Sequence, residues 1–203
     1  MNESCLLIVF AKAPVSGQAK TRLAPALGFE GAALLASTML EHTLACGAES
    51  AVGRVELCCS PNTSHPQFQL AGSAGVALTE QGDGDLGARM ERALSRALAH
   101  HQRVILIGTD APLLDAQVLR SAAAALHNHD VVIAPASDGG YVLVGLSRRA
   151  PELFEGIAWS SAQVMAQTRE RIAASGLSLH ELPTLHDIDE PQDLVHIPLA
   201  WRP

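Results

Sequence analysis

The chain has 203 residues, 48 % of them hydrophobic, which is ample for one buried core and excludes a disordered chain. Fourteen Lys plus Arg against 21 Asp plus Glu give a net charge of −7 without a basic cluster, so nucleic acid and an anionic membrane surface are disfavoured as partners. Cys5, Cys46, Cys58 and Cys59 form no C-x-x-C pair and read as reduced thiols of a cytoplasmic protein, and the apolar stretch at residues 5–11 is far short of a ~20-residue membrane span.

Taken in chain order, short β-branched runs alternate with Ala/Leu-rich segments of helical period, the pattern of parallel strands joined by crossover helices. Strands are expected at residues 6–11, 55–60, 76–81, 104–109, 131–134 and 141–145. Several are apolar without alternation, which implies strands covered on both faces. Helices are expected at 31–46, 86–100, 115–127 and 161–175, with Asp115 and Ser160 or Ser161 as N-caps; residues 61–74 are irregular or a short helix. No repeat, low-complexity tract or Gly/Ser linker divides the chain, so residues 1–203 read as one domain, an α/β three-layer sandwich around a mostly parallel sheet. In such sheets ligands sit beyond the carboxyl ends of the strands.

After the first strand, the segment from Ala11 to Leu23 holds Lys12, Lys20 and Arg22 around Pro14 and Gly17. Two ammonium groups, a guanidinium that grips two oxygens and a glycine that admits the backbone closely are what a polyphosphate needs, although the segment also reads as a solvated basic loop. It is not a P-loop, because Gly17 and Lys20-Thr21 lack the required spacing. Past the fourth strand, Thr109 leads into Asp110-Ala111-Pro112, where Asp110 is either a turn residue or a first ligand for Mg²⁺, an ion commonly held by one or two carboxylates plus phosphates and water. Asp138-Gly139-Gly140-Tyr141 forms a turn between two strands, with Asp138 and Tyr141 able to face a sugar or an acceptor. Near the end, Asp189 precedes Glu190-Pro191-Gln192, where it can cap a helix, bind a metal, or do both.

The segment Gly82-Asp83-Gly84-Asp85-Leu86-Gly87 satisfies G-x-G-x-x-G between a strand and a helix, but its two Asp side chains would oppose a pyrophosphate. Asp83, Asp85 and Arg89 are instead expected to face a ligand in an unassigned role. The nine histidines show no zinc spacing, and no Ser, Cys or His nucleophile constellation can be assembled.

Four ordered motifs, Phe10-Ala11-Lys12-Ala13-Pro14 leading to Lys20-Thr21-Arg22-Leu23, then Gly108-Thr109-Asp110-Ala111-Pro112, then Asp138-Gly139-Gly140-Tyr141, then Asp187-Ile188-Asp189, resemble the DUF2064 family over nearly the whole chain. That family belongs to the nucleotide-diphospho-sugar transferase superfamily, with a GT-A-like fold, and is more distantly similar to molybdenum-cofactor and phospholactate guanylyltransferases and sugar-acid cytidylyltransferases. The chain lacks the Gly-Gly pair of the guanylyltransferase first loop. The resemblance implies a Mg²⁺- or Mn²⁺-dependent transferase in which Lys12, Lys20 and Arg22, with Ala11, Gly17 and Thr109, hold the nucleotide. It also implies that Asp110 and Asp189 hold the metal and that Asp138 to Tyr141 meet the substrate. Lys20, Arg22 and Asp110 are the expected catalytic residues. The expected donor is a nucleoside triphosphate or a nucleotide sugar and the acceptor a small molecule. Nucleotidyl transfer is favoured, glycosyl transfer and a non-catalytic nucleotide-binding module are the alternatives, and a homodimer is compatible with any of them.

Overall fold

A computed structural model describes residues 5–201. Seven strands form one sheet in the order β3-β2-β1-β4-β6-β5-β7, built from β1 (Cys5–Lys12), β2 (Arg54–Ser60), β3 (Ala77–Glu80), β4 (Arg103–Ile107), β5 (Val131–Pro135), β6 (Tyr141–Leu146) and β7 (Leu179–Glu181). Every neighbouring pair is parallel except those of β6, which runs against both β4 and β5. The five α-helices are α1 (Ala24–Ser50), α2 (Pro66–Ser73), α3 (Leu86–Leu98), α4 (Ala116–Ala125) and α5 (Val164–Ala174).

The unalternating strands are buried on both faces because two helical layers cover them, as their composition implies. Leu7, Val9, Leu57, Ile105 and Ile107 pack with Leu40 of α1, Phe68 of α2 and Leu119 of α4 on one side. Leu6, Ile8, Leu106, Ile133 and Val144 pack with Met90 and Leu94 of α3 and Met165 and Ile172 of α5 on the other. This is the expected three-layer α/β sandwich with a mostly parallel sheet. A third cluster joins Leu23, Leu35 and Met39 to Ile188 and Ile197, so the C-terminal segment is fastened to the first helix rather than to the sheet.

Several local expectations need correcting. Asp115 caps α4 as expected, its carboxylate accepting from Val118 N at 2.9 Å. Neither Ser160 nor Ser161 caps α5, whose N-cap is Gln163 without a side-chain bond; the Ser161 hydroxyl donates to Ala158 O instead. Residues 61–74 resolve to the short helix α2, and β7 was not expected at all. Helix α1 starts earlier than its periodicity suggests, because a turn through Gly28, at φ 70° and ψ 167°, joins two helical pieces. By length and composition the stretch Thr21–Ser50 is apolar enough to cross a membrane, which the reading of the sequence did not anticipate. In the fold it is kinked, and Ala32, Leu35, Met39 and Leu40 face the protein interior.

Candidate active site

Three carboxyl-end segments converge beside β1. The loop after β1 turns through Gly17, at φ 76°, and Val15, whose carbonyl accepts from Gln18 N and Ala19 N. It ends on Lys20, held in the left-handed region at φ 46°. After β4, Gly108 N donates to Val142 O, and the Asp110 carboxylate folds back so closely that a Cβ on Gly108 would meet its Oδ1 at 2.8 Å. The third segment follows β7: Leu182 N and Leu185 N continue the ladder along β5, and Ile188 N donates to Asp110 O at 2.9 Å, which carries Asp187 and Asp189 to the mouth of β4.

These segments bring one ammonium and two carboxylates together. Lys20 Nζ lies 3.1 Å from Asp110 Oδ2 and 2.6 Å from Asp189 Oδ1, partners 90 and 169 positions away in sequence. Asp110 and Asp189 therefore share one cationic group. Lys20 keeps only 14 % of its side chain exposed, unlike a residue of a solvated basic loop; the carboxylates keep 36 % and 39 %, and Arg22 keeps 65 % beside Glu190. Burial alone would lower the Lys20 pKa, but Asp110 and Asp189 outweigh it and hold the ammonium above its usual value. Burial would likewise raise Asp110, and Lys20 reverses that and holds it below the usual carboxylate range. Asp187 has no such partner: burial, then repulsion from Asp138, pushes it up to about 6.

Capping does not occupy Asp189. The capping box of the C-terminal 3₁₀ segment Pro191–His196 is made by Glu190 and Asp193, and Asp193 Oδ2 also accepts from Asp189 N at 3.0 Å. The Asp189 carboxylate is thereby left to reach Lys20. Among the described residues no group of three or more His, Cys, Asp or Glu side chains is placed to hold a metal without further ligands.

Two cavities meet at the carboxylates of this triad. The first, about 450 Å³, is lined by Lys12, Lys20, Arg22, Thr109, Asp110, Tyr141 and Asp189 among the expected residues, and by Gln81, Arg89, Leu86 and Met90 beside them. The second, about 410 Å³, shares Arg22, Asp110, Tyr141 and Asp189 and adds Asp138, Gly140, Trp159, Ser160 and Asp187. Ala11, Gly17 and Gly139 line neither. Gly139 instead packs where a Cβ would meet Ala162 O at 2.3 Å. The Lys12 ammonium donates to Gln18 O at 2.8 Å, closing the loop on itself. Tyr141 Oη is buried without a hydrogen-bond partner.

The loop after β3 corrects one expectation. Asp85 is spent as the N-cap of α3, accepting from Ala88 N at 2.8 Å, and Asp83 offers its carbonyl to Arg92 rather than a carboxylate to a ligand. Of that trio only Arg89 borders the first cavity. Sequence reasoning passed over Gln81, Trp159 and Ser160. Gln81 stood at the end of an expected strand, where its amide could have been noticed, whereas nothing local marks Trp159.

The DUF2064 family, described as an uncharacterized protein conserved in bacteria, matches residues 43–161, more than half of the 203-residue chain. The chain is a DUF2064 protein. A 3-phospho-D-glycerate guanylyltransferase of Phenylobacterium zucineum is 31 % identical over 186 residues, covering 88 % of this chain and 84 % of that protein. A crystal structure from Desulfovibrio desulfuricans, described as a nucleotide-diphospho-sugar transferase, is 32 % identical with a TM-score of 0.86, covering 96 % of this chain and 85 % of that one. A Mycobacterium tuberculosis protein solved in complex with manganese shares the fold alone, at 16 % identity and a TM-score of 0.57 over 96 % of this chain and 97 % of that one. This DUF2064 protein is a transferase of nucleotidyltransferase kinship, with the nucleotide-diphospho-sugar transferase fold.

Proposed function

We propose that this DUF2064 protein, acting as a single cytoplasmic domain, transfers a nucleotidyl group from a nucleoside triphosphate to a phosphorylated or acidic small molecule. The observation that carries the reading is the Lys20–Asp110–Asp189 triad, whose two carboxylates lie at the seam of two cavities, one bordered by the loop cations Lys12, Lys20 and Arg22 and the other by the Asp138 turn. The donor set fits Mg²⁺ or Mn²⁺: two carboxylates already share one cationic group, and hard oxygen ligands from phosphates and water would complete the shell. Asp110 and Asp189 would hold the ion, which when bound supplies charge neutralisation at the α-phosphate. The four cysteines are free, as in a reducing compartment.

In this scheme an oxygen of the acceptor's phosphate or carboxylate attacks the α-phosphorus from the second cavity. A phosphorus–oxygen bond forms as the bond to the bridging oxygen of pyrophosphate breaks, and an acceptor that is already ionised needs no protein base. Negative charge gathers on the departing pyrophosphate, so Lys12, Lys20 and Arg22 stabilise the transition state more than the ground state. A triphosphate carries about four negative charges, a better match to three cations than a nucleotide-sugar diphosphate. Tyr141 offers its buried, unpartnered hydroxyl to the acceptor. The Phenylobacterium zucineum relative, by its name, uses a phosphorylated acid and a guanylyl donor, which supports the same class of reaction.

Glycosyl transfer from a nucleotide sugar is the second reading, favoured by the description of the Desulfovibrio desulfuricans structure. The test is pyrophosphate release from each of the four triphosphates with phosphorylated acids as acceptors, run beside nucleotide release from nucleotide sugars. Release in the first assay supports nucleotidyl transfer; release only in the second replaces it with glycosyl transfer.

A further inference from the structure

We propose that Arg89 reads the base of the donor nucleotide and selects guanine over adenine. This rests on the first cavity being the nucleotide site and concerns only which nucleotide it takes.

The argument starts at Gln81, which is 6 % exposed at the end of β3. Its amide nitrogen donates to Ala11 O at 3.2 Å and to Cys58 O at 3.1 Å, so both amide protons are committed and the group cannot turn over. Its Oε1 is thereby fixed as an acceptor, and Arg89 Nη1 donates to it at 3.0 Å. Arg89 Nε donates to the carbonyl of Asp85, a residue itself held as the N-cap of α3. The guanidinium is thus gripped by two groups that cannot move, and of its five N–H donors those two contacts use two. Arg89 borders the first cavity with three of its donors uncommitted in these two contacts.

Loop support does not account for this side chain. Arg92 already ties the loop together, donating to the carbonyls of Gln81 and Asp83, and it does not border that cavity. Leu86 and Met90 flank Arg89 along one helical face and, with Phe10 and Leu106, give apolar walls for a flat ring. Gln81, Arg89, Phe10 and Leu106 border only the first cavity, whereas Leu86 and Met90 border both, with Arg22, Asp110, Tyr141, Val142 and Asp189. With the phosphates of the nucleotide given to Lys12 and Lys20, which also border only the first cavity, the base falls to the Arg89 part of that cavity. A fixed fork of N–H donors matches two adjacent acceptors, as guanine presents with O6 and N7. Adenine places an amino group beside N7 and meets donor with donor.

The test is calorimetric titration of the imido analogues of GTP and ATP, with Mg²⁺, into the wild-type chain and into the Arg89→Gln and Arg89→Lys variants. We expect the wild type to prefer the GTP analogue by roughly 10- to 100-fold, the discrimination of one bidentate contact. Both variants should lose most of that ratio while keeping affinity for the ATP analogue, and the lower ligand-free melting temperature expected from the lost Gln81 contact is measured separately, so that the ratio is compared between folded chains. An Arg89→Gln or Arg89→Lys chain that keeps the preference overturns the inference. So does an equal loss of affinity for both analogues, which would make Arg89 a phosphate clamp. A wild-type chain that binds both analogues equally overturns the base reading while leaving nucleotidyl transfer intact. One that binds neither overturns the nucleotide reading itself.

Discussion

Lys20 has two jobs that a single substitution would separate. In the ligand-free protein it neutralises Asp110 and Asp189; in the proposed reaction it faces phosphate. Lys20→Ala should therefore weaken nucleotide binding and also destabilise the fold, by about 1 kcal/mol at neutral pH, a low figure because the two carboxylates keep more than a third of their surface. The pH window follows from the shifts. Asp110 is held below 3.8, so its share of the stability is present above that value and is lost as pH falls through the folded pKa; Lys20 is held above 10.5, so its share is lost as pH rises through the folded pKa. Thermal melts should show the gap between wild type and variant level between those limits and closing outside them. Equal melting temperatures at pH 7 would mean the ion pairs contribute nothing. Asp187 gives the opposite sign. Its pKa rises from 3.8 to about 6 in the fold, so its charged form costs stability as pH climbs through that interval. Asp187→Asn should raise the melting temperature at pH 7.5 and have little effect at pH 4, and a variant with no gain at pH 7.5 would show that burying this charge, beside Asp138, costs nothing.

Among the elements, α3 and the segment leading into α5 are coupled through one missing side chain. A Cβ on Gly87 would meet the Trp159 indole nitrogen at 2.3 Å, so the last glycine of the dinucleotide-like motif serves helix-to-loop packing. Gly87→Ala should cost about 1–3 kcal/mol by overpacking, read as an earlier denaturation midpoint, with altered Trp159 fluorescence. An unchanged midpoint would show that the indole yields freely. The same region marks what the sequence could reveal. Doubly covered strands were visible in runs such as Val104 to Ile107, and the cap at Asp115 followed from local chemistry. By contrast, β7 has only three residues, Leu179, His180 and Glu181, too few for a period to register. The sequence leaves Asp189 as a cap, a metal ligand or both, because three acidic residues within five positions compete for the cap, and only backbone direction gives the capping box to Glu190 and Asp193. The types of the site residues were legible, but the burial of Lys20 was not, since it depends on partners that sequence order keeps far apart.

For the molecule as a whole, a ligand that binds at the seam ties segments from both ends of the chain. A nucleoside triphosphate with Mg²⁺ at 100 times its Kd should add about 2.7 kcal/mol to folding stability. A thermal-shift series checks this: the triphosphate alone, the metal alone and the two together should rank with the pair highest, and equal shifts for all three would argue against a shared site. The reversed strand β6 makes this economy of parts workable, because its first residue, Tyr141, starts at the same sheet edge where β4 and β5 end, so one edge serves donor and acceptor alike. The fastening of Ile188 and Ile197 against Leu23, Leu35 and Met39 has a consequence for how the protein comes off the ribosome. All seven strands are complete once Glu181 has emerged, yet Lys20 then faces Asp110 alone. A chain cut just after β7 would keep the residues of all seven strands and yet could not assemble the triad, because Asp189 lies beyond the cut.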